Sequence, residues 1–194
     1  GFDIKYSFNV NDLVWSFYGQ YIGEDGTDYW PWRTFYLAGT EFIYLKDGKL
    51  NSVVIEYIDT YYSGQDIGTN VIYEHGTYTS GYRYKGSPIG AFIDGDSNYV
   101  HLSLNSEINN VTNIEFSMFY GNLNKDNSGT KNSWGTANKD FYGIVLNFDF
   151  KINSKIDLGL NLTSLSESLS YRGQTLDKNI LGIDLIVKKP IKPN

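Results

Sequence analysis

The chain has 194 residues, no cysteine, and 16 basic against 22 acidic side chains, a net charge of −6. Without cysteine, disulfide scaffolds and thiolate metal centres are excluded, and the negative balance argues against a nucleic-acid partner. Aromatic residues make up 16% of the chain, 17 of them Tyr, yet mean hydropathy is only −0.36, and no run of about 20 apolar residues marks a membrane helix.

Alternation with a period of two, the mark of a strand with two unlike faces, recurs along most of the chain. It opens at 2–9, where Phe2, Ile4, Tyr6 and Phe8 alternate with Asp3, Lys5, Ser7 and Asn9. A turn at Val10-Asn11 leads into a second strand carrying Leu13, Trp15 and Phe17. After a long link at 23–32, two less regular strands are predicted near 33–45 and 50–60. They are joined at Asp47-Gly48, a strong hairpin signal. A longer link, 61–97, precedes Val100, Leu102 and Leu104, which alternate with His101, Ser103 and Asn105. A turn at 108–110 gives way to Ile114, Phe116, Met118 and Tyr120, and then comes the long link 124–139. Tyr142, Ile144, Leu146, Phe148 and Phe150 follow, with a turn at Asn153-Ser154 before Ile156, Leu158, Leu160 and Leu162. A last long link, 165–179, leads to Leu181, Ile183, Leu185 and Val187. No segment carries a convincing helical period.

A soluble β-sandwich with one wet face alternates in the same way. Strands of roughly ten residues favour a bilayer crossing over a sandwich, whose strands run to about five or six. Polar and charged residues in strand centres (Asp3, Lys5, Glu56, Glu115, Asp149, Lys151, Asp157 and Asp184) suit a hydrated lumen. The predicted fold is therefore all-β, an antiparallel transmembrane β-barrel in contact with outer-membrane lipid. Short and long links alternate throughout, as short periplasmic turns and long extracellular loops do in a bacterial outer membrane. About nine strands are expected, an odd number, whereas bacterial barrels have even counts. The expectation is that 1–194 is the C-terminal part of a larger barrel, with missing N-terminal strands that pair with it. The chain begins without an initiator Met or a signal peptide, as a mature or truncated exported chain would.

Residues 73–97 hold the densest candidate site. Tyr73, Tyr78, Tyr82 and Tyr84 offer flat apolar faces with polar tips, suited to sugars in water. Arg83 adds a planar cation for carboxylates, and Gly81, Gly86 and Gly90 allow sharp turns over the barrel mouth. His75 lies in the same run, and Glu24 and Asp25 stand in the neighbouring long loop. Packing of the tyrosines into the mouth is the competing reading.

Residues 73–97 resemble the signature loop of the Wzi-type capsule assembly proteins. Gly19-Gln20-Tyr21-Ile22-Gly23-Glu24-Asp25 and Leu37-Ala38-Gly39-Thr40-Glu41 match the same family. The resemblance covers roughly the first half of the chain; the second half matches only as generic barrel. It implies an outer-membrane barrel that helps attach capsular or other extracellular polysaccharide to the cell surface, and an N-terminal helical portion absent from this sequence.

Other chemistries fit less well. Asp94-Gly95-Asp96-Ser97-Asn98 begins like a calcium loop, but Tyr99 stands where Gly is needed and Asn105 where Glu is needed. It is read as a turn closing the loop, with Asp94 and Asp96 the only metal candidates. A porin-like channel for small solutes is the first alternative function, resting on the charged lumen candidates. A barrel hydrolase is the second, but only His75 and His101 could serve as imidazole bases, and no Gly-x-Ser-x-Gly occurs. No catalytic residue and no cofactor are expected.

Overall fold

The structure is a computed structural model that describes residues 1–23, 34–61, 72–74, 77–78, 81–125, 132–135, 137–153, 156–166 and 168–187. Its strands are β1 (Phe2–Val10), β2 (Leu13–Gly23), β3 (Thr34–Lys46), β4 (Lys49–Asp59), β5 (Arg83–Tyr84), β6 (Ser87–Pro88) and β7 (Asn98–Asn109). β8 (Thr112–Leu123), β9 (Lys139–Asn153), β10 (Ile156–Leu165), β11 (Leu169–Tyr171), β12 (Gln174–Leu176) and β13 (Asn179–Val187) follow. The nine long strands form one antiparallel sheet in the order β1-β2-β3-β4-β7-β8-β9-β10-β13, while β5-β6 and β11-β12 are small separate hairpins. The sheet is an open meander, with β1 and β13 at its two edges.

Register explains why alternation was so regular. Cross-strand partners share a face, and one row runs Phe8, Trp15, Phe42, Val53, Leu104, Phe116, Leu146, Leu162 and Leu181. Every strand contributes an apolar residue to it. Near the end where the long loops attach, the same face carries Tyr57, Tyr120 and Tyr142, and then turns polar at Asp59, Asn98, Asn122 and Asp140. At the other end it turns basic at Lys46 and Lys49.

Residues one position along face the other way. Ser103 and Ser117 hydroxyls approach Glu115 Oε1 at 3.4 Å, Asn147 donates to its Oε2 at 3.2 Å, and Asn161 donates to Asn147. All eight charged positions expected to face a lumen lie on this side of the sheet.

The polar face also holds the buried core, at its loop end. Ile58, Phe141 and Leu165 from strand ends pack with Ile93, Leu123 and Leu169, and Ile93 has no exposed surface. Tyr142 and Phe148 are outside this core, and Tyr142 is 58% exposed. The described parts of the long loops thus fold over one face of the sheet and, among the described residues, leave the apolar face bare.

Several strands outrun their predicted limits: β9 covers 139–153 and β7 covers 98–109. At the loop end the extra residues lie where the bare face becomes polar, at Asn98 and Asp140, and the inner face becomes apolar, at Tyr99 and Phe141, so the alternation reverses before pairing ends. The turn after Asn153 lies partly outside the described residues.

Candidate functional site

The loop cap is organised around one carboxylate. Asp94 is fully buried with φ of +63°. Arg83, on β5, grips it with two parallel bonds, Nη2 to Oδ1 at 2.6 Å and Nε to Oδ2 at 3.1 Å. The Ser133 backbone N–H donates to Oδ2 at 2.8 Å and the Ser133 hydroxyl lies 2.6 Å from it. The Gly95 N–H completes Oδ1 at 2.8 Å. Five donors therefore converge on Asp94 from two long loops, which is the satisfaction a buried charge requires.

The ties continue outward. Arg83 Nη1 also meets Glu74 Oε1 at 2.6 Å and the Tyr73 carbonyl at 3.3 Å. Burial acts to lower the Arg83 pKa. The hydrogen bonds and charge of Asp94, then of Glu74, outweigh it, and the net shift is upward. The guanidinium therefore stays cationic. Thr60 Oγ1 bonds the carbonyls of Asp94 at 2.6 Å and Ser97 at 3.1 Å, fixing the loop base to β4. Trp134 Nε1 donates to the Phe92 carbonyl at 2.8 Å, and its ring lies 4.7 Å from Tyr171. The Tyr171 hydroxyl donates to Ser87 Oγ at 3.1 Å, and the Arg172 N–H donates to the Ser133 carbonyl at 2.7 Å. Three long links are knitted into one layer.

Within this layer the predicted site residues separate into two groups. Tyr73 is 4% exposed, accepts from the Ala91 N–H at 2.8 Å and packs its ring 5.7 Å from Phe35. Burial, reinforced by Asp94, pushes its phenol upward against the opposing pull of Ala91 and Arg83. Gly81 follows close by with φ of +58°, where a Cβ would collide with the Tyr73 carbonyl. The Arg83 side chain is 6% exposed. Tyr78, Tyr82 and Tyr84 are the opposite, 70%, 63% and 67% exposed. Tyr82 also lies along a cleft of 630 Å³ whose walls include Gln20, Leu37, Ile58, Tyr73 and Phe92. His75, Glu24 and Asp25 lie outside the described residues.

Asp94 and Asp96 do not assemble a cation site with others: among the described residues no three His, Asp or Glu side chains converge. Asp94 is occupied by Arg83 and Ser133, and Asp96 is buried beside it. His101 stacks on Tyr99 at 5.9 Å. Thr60, Ser133, Trp134 and Tyr171 join the cap without belonging to the predicted site. Trp134, a lone large ring among Asn, Ser and Gly, was the one visible signal; the ties of Thr60 and Ser133 are long-range and carry none.

Comparison with known proteins places this geometry. Residues 1–173 match the family of the capsule assembly protein Wzi. A search of curated protein sequences finds no match. Among solved structures the chain is similar to Wzi from Escherichia coli, described as an outer membrane protein involved in group 1 capsule assembly and a carbohydrate-binding β-barrel. The superposition has a TM-score of 0.75 at 22% identity, over 91% of this chain and 38% of that one. At that identity the likeness speaks for the fold, a barrel wall. The chain spans 38% of the length of that solved relative.

Proposed function

The chain belongs to the family of Wzi capsule assembly proteins, and on that premise we propose that it is part of a bacterial outer-membrane β-barrel whose loop cap holds capsular polysaccharide at the cell surface. The observation that carries this reading is the division within the cap. Arg83, Asp94 and Tyr73 are consumed in holding it together, while Tyr78, Tyr82 and Tyr84 stand in solvent. Exposed rings on a pinned scaffold lose little freedom when a ligand settles on them.

Membrane insertion is supported by the bare apolar face. Asp59 and Lys49 bracket it on β4, ten residue steps apart. At about 3.3 Å per residue and a tilt of about 40°, that spans a height of about 25 Å, the thickness of the apolar band of outer-membrane barrels. Tyr57, Tyr120 and Tyr142 sit where the aromatic girdle belongs. Unpaired strand edges find no hydrogen-bonding partner in lipid. In this reading β1 and β13 pair with strands from the rest of the protein. Helical residues outside this segment are a further part of the same proposal.

The test replaces rings that hold nothing up. Each exposed aromatic contact contributes about 0.5–1.5 kcal/mol, so Tyr82→Ala with Tyr84→Ala is expected to weaken glycan binding roughly five- to hundredfold. Cells carrying the double variant should shed capsule into the medium at normal levels of inserted protein. Full capsule retention would refute the assignment of these rings. A porin role predicts steady single-channel conductance that glycan does not block.

A further inference from the structure

By residue type Arg83 suits carboxylate recognition, but its guanidinium is spent on Asp94 and Glu74. Two other cations are not. Lys85 and Arg172 are exposed, and among the described residues neither has a carboxylate partner. Each occupies the first turn position of a small hairpin: Lys85 (φ +50°) precedes Gly86 (φ +82°) between β5 and β6, and Arg172 (φ +52°) precedes Gly173 (φ +77°) between β11 and β12. The two hairpins come from different long links and meet tip to tip. The Arg172 guanidinium lies against Gly86, so that a Cβ there would stand 3.3 Å from its Nε and 3.4 Å from Nη2. The Tyr171–Ser87 hydroxyl bond ties the same two hairpins.

In a chain of net charge −6, two facing turn tips each carry a cation with which, among the described residues, no acid pairs. Beside them Tyr84 offers a bare ring, and the Lys85 ammonium sits 5.4 Å from its centroid. A bare ring with an ammonium over it, and a planar guanidinium against the turn that follows, suits a sugar ring that carries a carboxylate.

We propose that Lys85 and Arg172, with Tyr84 at the end of β5, form a subsite for an acidic sugar, a uronate-type residue of the polysaccharide held by the cap. The inference rests on the glycan-binding reading above and adds charge selectivity to it. The ring stacks on Tyr84 while the carboxylate bridges the two cations, and no bond is made or broken.

The test uses the intact barrel in detergent and two probes, polygalacturonate and a neutral dextran of matched length. Lys85→Gln with Arg172→Gln is expected to weaken polygalacturonate binding about five- to thirtyfold, as two exposed charge contacts are lost. Dextran binding should stay within twofold. Added salt should erode wild-type polygalacturonate binding and leave the double variant nearly flat. Equal losses for both probes, or no loss for either, would overturn the charge subsite while leaving glycan binding in place. Displacement by inorganic phosphate but not by monomeric glucuronate would overturn the carboxylate assignment. If the wild-type protein binds neither probe, the glycan reading itself falls, and this inference with it. Should the double variant fail to show the heat-dependent gel shift of a folded barrel, Lys85→Gln alone, on an exposed turn tip, carries the same comparison with a smaller expected loss of about three- to fivefold.

Discussion

Replacing Arg83 with alanine is expected to loosen the loop cap while the nine-stranded sheet stays assembled. The substitution removes both direct bonds from Arg83 to Asp94 and the bond to Glu74 at once. Asp94 has no exposed surface, so its charge would be left buried without a counter-ion. Breaking a buried pair from one side costs about 3–5 kcal/mol. The sheet is held by its own ladders on either side of the cap, so the loss should appear as local opening. Limited proteolysis within 72–97 should accelerate by two orders of magnitude or more, with the heat-dependent gel shift of the barrel unchanged. Arg83→Lys should recover only part, because an ammonium lacks the planar fork that meets both Asp94 oxygens. Wild-type protease resistance in Arg83→Ala would show that the cap does not depend on this pair. Capsule loss in such a variant would report a collapsed scaffold, which is why the exposed rings are the cleaner probe of contact.

The second large effect is expected on the bare face. Leu104 and Ser103 are adjacent in β7 but point to opposite sides, Leu104 into the continuous apolar row and Ser103 toward Glu115. Arginine at Leu104 would sit near mid-bilayer and cost about 2–4 kcal/mol. Arginine at Ser103 would face the polar side, with Glu115 at hand as a partner. Urea titration of folding into phospholipid vesicles reads the difference directly. Equal destabilisation at the two positions would contradict a lipid-facing role for the apolar row.

The wall of this protein is legible because its two faces, one bare and apolar, the other polar, impose opposite demands on successive residues. Phe116 and Ser117, or Leu146 and Asn147, declare their sides in the sequence itself. Legibility fades where the bare face turns polar and the inner face turns apolar, as at Asn122 beside Leu123 and Asp140 beside Phe141, so the alternation loses its phase and the strand ends read short there. The hairpins β5–β6 and β11–β12 escaped notice for a different reason. With two or three residues to a strand they offer no period, and Lys-Gly and Arg-Gly are weaker turn signals than Asp47-Gly48, although all three adopt the same pair of positive φ values. In the candidate site, the tyrosine cluster was visible as composition. Its partition into buried Tyr73 and exposed Tyr82 and Tyr84 was not, because it depends on Asp94 and Ser133, which are 39 positions apart. Arg83 looked like a ligand group for the same reason: a guanidinium in a loop looks the same whether its acid is a sugar or Asp94.

The convergence of bonds on Asp94 also has a mechanical side. In the proposed role, a polymer strand held at the exposed rings would transmit every tug of flow to the hairpin that grips it. A lone hairpin would peel, its bonds failing one after another. Here the pull on β5 passes through Arg83 to Asp94, on through Ser133 to the loop between β8 and β9, and through Thr60 to the end of β4. The two bonds of the Arg83 fork, and beyond Asp94 the ties to Ser133 and Thr60, are each loaded side by side, so the members of each pair must give way together. The cap thus shares tension among several strands of the wall and behaves less like a hook than like a rivet plate.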